Sequence, residues 1–72
     1  MLTPKERELL QGMGNCYASC GDDFENTVGM VASTRGRTQA DVKESLANMA
    51  KNYASDKDYL TLRSRLPAEF PF

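Results

Sequence analysis

The apolar residues of this chain recur at helical spacing, most clearly in the stretch 36–53. There they fall at i, i+4, i+7 and i+11, at Val42, Leu46, Met49 and Tyr53. Such a stripe predicts one helix with one buried face. Thr38 can cap the start of that helix, and Asp41 suits the positive end of its dipole. The pattern therefore predicts a helix over residues 38–53.

The N-terminal stretch carries a second stripe behind a strong helix start. Thr3 and Glu6 form a capping box, and Pro4 fits the first helical position. The stripe that follows is Leu9, Leu10, Met13, Cys16, Tyr17 and Cys20. Together these features predict a helix over residues 3–20.

Two glycines interrupt this first helical pattern. Gly12 and Gly14 each cost roughly 1 kcal/mol relative to alanine in a helix. They either allow another element to pack closely or end the helix near residue 13.

A third stripe lies between these two segments. Asp22 with Glu25 repeats the capping-box pattern and predicts a helix over residues 23–34. Its inner face is Phe24, Val28, Val31 and Ala32. Gly36 follows where a helix-ending residue must accept a positive φ. Two helices joined by a tight turn that contains glycine have the outline of a helix-turn-helix.

The C-terminal part predicts one more short helix and an irregular tail. Ser55 or Asp56 can cap a helix over residues 57–66, which Pro67 stops. Its apolar side is Tyr59, Leu62 and Leu66, whereas Lys57, Arg63 and Arg65 are expected to face solvent. We expect Phe70 and Phe72 of the tail to fold back on the core rather than to anchor a partner.

Length and composition agree with one small folded domain. The 72 residues are 40% hydrophobic and 26% charged, an ordinary globular balance. A chain this short buries only about 60% of its unfolded surface. We therefore predict a single all-α domain over residues 1–72, a three-helix bundle with a short fourth helix. The predicted core is Leu10, Met13, Tyr17, Phe24, Val28, Val31, Val42, Leu46 and Met49.

The net charge and the available reactive side chains limit the classes of function that this sequence can have. The net charge is −1, with −3 in residues 1–32 and +3 in residues 33–66, which falls short of a strongly basic nucleic-acid binder. There is no histidine, and Cys16 with Cys20 supplies at most half of a structural zinc site. The sequence contains no pair of side chains that could act as nucleophile and general base, and no glycine-rich loop that could bind phosphate. We expect no enzyme activity, no metal and no cofactor.

No segment has the length and apolar character of a membrane span or of a secretory leader. We expect no membrane partner, a monomer, and a reducing intracellular compartment, which would be the nucleus in a eukaryote.

Three features, in the order in which that family carries them, resemble a divergent Myb/SANT domain, which is a homeodomain-like bundle of three helices. They are the start Leu2-Thr3-Pro4-Lys5-Glu6, the pair Val31-Ala32, and Gly36-Arg37-Thr38 with Asp41-Val42-Lys43. The resemblance covers about residues 2–53. The three aromatic core positions of the family would fall at Leu2, Val28 and Leu46, which are apolar but not aromatic.

The third helix separates two branches of that family. DNA-reading Myb repeats resemble Gly-Arg-Thr-Asp-Asn-x-x-Lys-Asn, and their base-reading positions fall at Ala40, Lys43 and Glu44. Only Lys43 matches, and Ala40 cannot make the paired amide contact that reads adenine. Glu44 would bring a negative charge towards phosphates. SANT domains, which generally bind proteins such as histone tails, tolerate an acidic third helix.

Three functions therefore stand side by side. The first is a non-enzymatic SANT-like module whose exposed surface on the second and third helices binds a basic or mixed-charge protein segment, such as a basic tail, in a chromatin or transcription setting. The second is a DNA-binding helix-turn-helix with the third helix in the major groove, and the third is a helical interaction domain unrelated to chromatin. The candidate partner-binding residues are Arg35, Arg37, Lys43, Glu44, Asn48 and Lys51, with Arg63 near a DNA backbone in the second case.

Overall fold

The computed structural model describes residues 1–72 and contains four helices and no strand. They are α1 (Pro4–Cys16), α2 (Phe24–Arg35), α3 (Gln39–Asn52) and α4 (Lys57–Arg63). The predicted all-α class is confirmed. The limits of α2 and α3 differ from prediction by one residue at each end, whereas α1 and α4 are shorter than predicted.

A side-chain oxygen caps the start of every helix, which is why the four starts could be read from the sequence. The capping residues are Thr3, Asp23, Thr38 and Asp56. The box of Thr3 with Glu6 forms as predicted. The predicted box of Asp22 with Glu25 is wrong, because Asp22 adopts a positive φ of 55° and the next aspartate makes the cap.

α1 ends at Cys16 rather than at Cys20. The chain makes one further, looser turn, in which the Cys20 N–H donates to both the Cys16 and the Tyr17 carbonyl at 3.1 Å. Gly21 at φ 72° and the bond from the Asp22 N–H to the Tyr17 carbonyl at 2.8 Å close this turn as a Schellman motif. The stripe therefore keeps its direction beyond the end of the regular helix.

α2 ends at Gly36, as predicted. Its φ is 62°, and the Arg37 N–H donates to the Ala32 carbonyl at 2.9 Å. This left-handed residue turns the chain at once, so that only residues 36–38 separate α2 from α3.

α1 packs against each of the other three helices, and α2 also packs against α3. The core between them is Leu2, Leu9, Leu10, Met13, Val28, Val31, Ala32, Val42, Leu46, Met49, Tyr59, Leu62, Leu66 and Phe70. Seven of the nine predicted core residues are buried. Tyr17 and Phe24 are only partly buried, because the C-terminal tail, rather than a helix, covers their rings.

The tail folds back on the core, as predicted. Phe70 is 4% exposed, and its ring meets the edges of Phe24 and Tyr17 at centroid distances of 5.4 and 6.2 Å. Arg63 donates to the carbonyls of Pro67 and Phe70, each at 3.1 Å. The expectation that Arg63 faces solvent is therefore wrong, because α4 ends early and turns its guanidinium onto the tail.

Candidate functional site

The six candidate residues fall in three places on the surface. Arg35 and Arg37 lie on either side of the Gly36 turn, and Lys43 lies on the side of α3 that meets α2. The remaining three, Glu44, Asn48 and Lys51, are exposed together on the outer side of α3.

Arg35 packs against the backbone of α1. Its Nη2 donates to the Glu8 carbonyl at 3.2 Å and lies 3.7 Å from the Glu8 carboxylate. A Cβ at position 12 would stand 2.7 Å from this Nη2, so the close approach depends on Gly12. The Nε of Arg35 is buried and has no hydrogen-bond partner. The first glycine of α1 thus allows close packing, and the group that packs there is a side chain.

Arg37 is held by the first turns of α3. Its Nε donates to an Asp41 carboxylate oxygen at 2.7 Å, and its Nη2 donates to the Ser45 hydroxyl at 2.5 Å. The hydrogen bond from Arg37 lowers the pKa of the Asp41 carboxyl. The guanidinium is therefore fixed in orientation, and an ionised neighbour offsets its charge.

Lys43 reaches across to α2, where its Nζ lies 2.7 Å from a Glu25 carboxylate oxygen. The pair is exposed, so it contributes little to stability. It does decide where Lys43 points, which is towards α2 and away from the outer side of α3.

The outer face of α3 consists of Ala40, Glu44, Ala47, Asn48 and Lys51, all exposed. None of them takes part in an ion pair within the domain. The face carries one negative and one positive charge, and its alanines leave it smooth.

A cleft of about 630 Å³ opens between α1, the α2–α3 turn and the start of α3. We call it the charged cleft. Its lining is Lys5, Glu6, Glu8, Leu9, Arg35, Arg37, Asp41 and Ser45. Two of the six predicted candidates line it. Sequence reasoning missed Lys5, Glu8 and Ser45, although a glycine placed one helical turn after Glu8 was a signal of close packing there.

A second, shallower groove runs over the exposed side of α2 and contains Met30 and Cys20. Cys16 and Cys20 are both half-buried free thiols. No group of three or more potential ligands from histidine, cysteine, aspartate and glutamate comes together in a metal-binding arrangement.

No known protein family, curated protein or solved structure matches this chain. None of its helices is both long enough and apolar enough to cross a membrane.

Proposed function

We propose that this domain is a non-enzymatic, SANT-like recognition module that binds a protein segment through the outer face of α3. In this proposal α2 and α3 form the helix-turn-helix pair of a homeodomain-like bundle. Two observations support that arrangement. The connection between α2 and α3 has only three residues, with Gly36 in the left-handed region, and α1 packs against both helices.

The pairing of the basic residues is the observation that carries the proposal. Arg35, Arg37 and Lys43 each face a carboxylate of the same domain. DNA binding draws much of its affinity from free lysine and arginine that replace counterions on phosphates. Here those three cations are already engaged, and the outer face of α3 has no net charge.

The face fits a protein segment with a basic residue opposite Glu44. The two alanines allow a backbone to approach closely, Asn48 can both donate and accept a hydrogen bond, and Glu44 has no competing partner within the domain. Charge complementarity of this kind selects partners more than it adds affinity.

The test is an amide NMR titration of the domain with a basic histone-tail peptide and, separately, with duplex DNA. Glu44→Gln should weaken the peptide complex by up to about fivefold, the amount expected for an exposed charge pair. Glu69→Gln removes the same charge from an exposed tail position and should leave the affinity unchanged.

The DNA-binding alternative predicts the opposite sign. If the domain binds a defined duplex with submicromolar affinity at physiological salt, and Glu44→Gln tightens that binding, then the proposal is wrong. The domain would then be a helix-turn-helix that reads DNA.

A further inference from the structure

Four of the five residues on the outer face of α3 form a second straight stripe along the helix. They are Ala40, Glu44, Ala47 and Lys51, all exposed. These residues recur at i, i+4, i+7 and i+11, which is also the spacing of the apolar stripe that begins at Val42. Residues seven apart differ by only about 20° around a helix, so Glu44 and Lys51 lie almost in line.

Glu44 and Lys51 do not neutralise each other within the domain. Seven residues of helix separate them by about 10.5 Å along the axis, which is far beyond the length of an ion pair. Neither residue takes part in any of the five ion pairs. The short side chain of Ala47 lies between them. The face thus presents one negative and one positive charge at a fixed separation, with room for another backbone to approach between them.

Such a face is complementary to a second copy of itself. When two identical surfaces meet about a two-fold axis, residue i contacts residue j and residue j contacts residue i. For two antiparallel α3 helices, an axis between Ala47 and Asn48 places Glu44 of each copy beside Lys51 of the other, because positions 44 and 51 are equally distant from that point. One pairing therefore makes two ion pairs from four charges that the separate domains leave unpaired. A parallel pairing in register would bring like charges together.

Net charge and the make-up of the face set the strength of this pairing. The chain has a net charge of −1, and a net charge near zero favours association. The face carries no large apolar side chain, since the exposed ones are Met1, Met30 and Leu60. Its five residues are also far fewer than the roughly 20–30 that each partner contributes to a standard interface. The pairing is therefore weak, with a dissociation constant on the order of 1 mM.

We infer that the outer face of α3 pairs with the same face of a second copy of this chain, antiparallel, with Glu44 of each copy beside Lys51 of the other. The self-association does not rest on the function proposed above. It adds a consequence to that function, because the dimer covers the face that the partner segment would use. Self-association and binding of the segment then exclude each other, and the monomer expected from the sequence is the form at low concentration.

The experiment follows the full chain by NMR, with translational diffusion and amide shifts measured from about 0.05 to about 2 mM, a range that brackets the expected dissociation constant. Diffusion should slow as the concentration rises, and the amides around Ala47 should shift. Glu44→Lys sets two lysines side by side, and Lys51→Glu sets two glutamates side by side. Each single variant should weaken association about tenfold, because two exposed attractive pairs become repulsive.

The reciprocal pairing predicts two rescues. The double variant, Glu44→Lys with Lys51→Glu, should associate as the wild type does, and an equimolar mixture of the two single variants should associate although neither does so alone. Glu69→Lys and Lys57→Glu make the same charge changes at exposed positions outside the face. These two controls should change association by less than about twofold.

Three outcomes would overturn the inference: diffusion that does not depend on concentration up to about 2 mM, equal losses in the face variants and their controls, or a double variant that does not associate. A chain that stays monomeric while Glu44→Gln weakens the basic peptide leaves the proposed function in place and removes the self-association. A chain that dimerises as described while the peptide ignores Glu44→Gln does the reverse.

Discussion

The two glycines of α1 should respond in opposite ways to the same substitution. In a helix, Gly→Ala stabilises by roughly 1 kcal/mol because alanine loses less backbone freedom on folding. At Gly14 the new Cβ would stand 3.8 Å from the Cβ of Arg65, an ordinary contact. Gly14→Ala should therefore raise the free energy of unfolding by about 1 kcal/mol, which is about 4–8 °C in Tm for a domain of this size.

At Gly12 the loss of a hydrogen bond offsets the stabilisation that Gly→Ala would bring. The new Cβ would stand 2.7 Å from Nη2 and 3.0 Å from Cζ of Arg35, so the guanidinium must move and lose its bond to the Glu8 carbonyl. A hydrogen bond of this kind is worth about 1 kcal/mol net. Gly12→Ala should therefore leave stability nearly unchanged.

A double-mutant cycle separates these terms. In an Arg35→Ala background the three atoms nearest to the new methyl group are removed, so Gly12→Ala should recover the stabilisation of about 1 kcal/mol. Urea unfolding followed by circular dichroism measures all four variants. Gly12→Ala could instead stabilise the wild-type domain as much as Gly14→Ala does, and by the same amount with and without Arg35. In that case Arg35 does not lie on α1, and its placement in the lining of the charged cleft is wrong.

Three further outcomes follow from burial and from the polar contacts. Leu46→Ala, at a fully buried position, should cost roughly 2–5 kcal/mol in urea unfolding, and a loss below about 1 kcal/mol would mean that the α3 stripe does not face the core. Arg63→Ala should release the tail, seen as increased amide exchange and loss of ring-current shifts at Phe72, whose ring lies 4.4 Å from the guanidinium; unchanged spectra would contradict the contact. Hydrogen bonds from the Thr3 N–H and, to a smaller extent, from the Tyr53 hydroxyl lower the pKa of the Glu6 carboxyl below its usual 4.5. The ionised carboxylate therefore stabilises the fold at neutral pH, and this stabilisation is lost as the pH falls below about 4.5. Glu6→Gln should lower the urea midpoint at pH 7 but hardly at pH 3.

Short-range signals predicted the helices well because their causes are local. A cap forms between residues three apart, and an apolar stripe needs only the period of the helix. Gly36 is the clearest case, since its position after α2 predicted a left-handed residue that the structure has. The failure at Asp22 is equally local, because two adjacent aspartates can both cap and the sequence does not rank them.

The candidate site was only partly predictable because its contacts join distant parts of the chain. Arg35 meets Glu8 across 27 residues, and Lys43 meets Glu25 across 18. No periodicity links such pairs. The Arg37 contact with Asp41 is the exception, since the two residues lie four positions apart around the start of α3 and this spacing alone would have allowed the pair.

The uneven charge of the sequence takes on a different meaning once the chain is folded. Residues 1–32 carry −3 and residues 33–66 carry +3, which suggests a basic half free to meet an anion. Two of the five ion pairs instead join a cation of the second stretch to a carboxylate of the first, namely Arg35 with Glu8 and Lys43 with Glu25. These two pairs offset part of the asymmetry within the molecule. In the function proposed above, recognition depends on the charges that folding leaves unpaired, and Glu44 on the outer face of α3 is one of these.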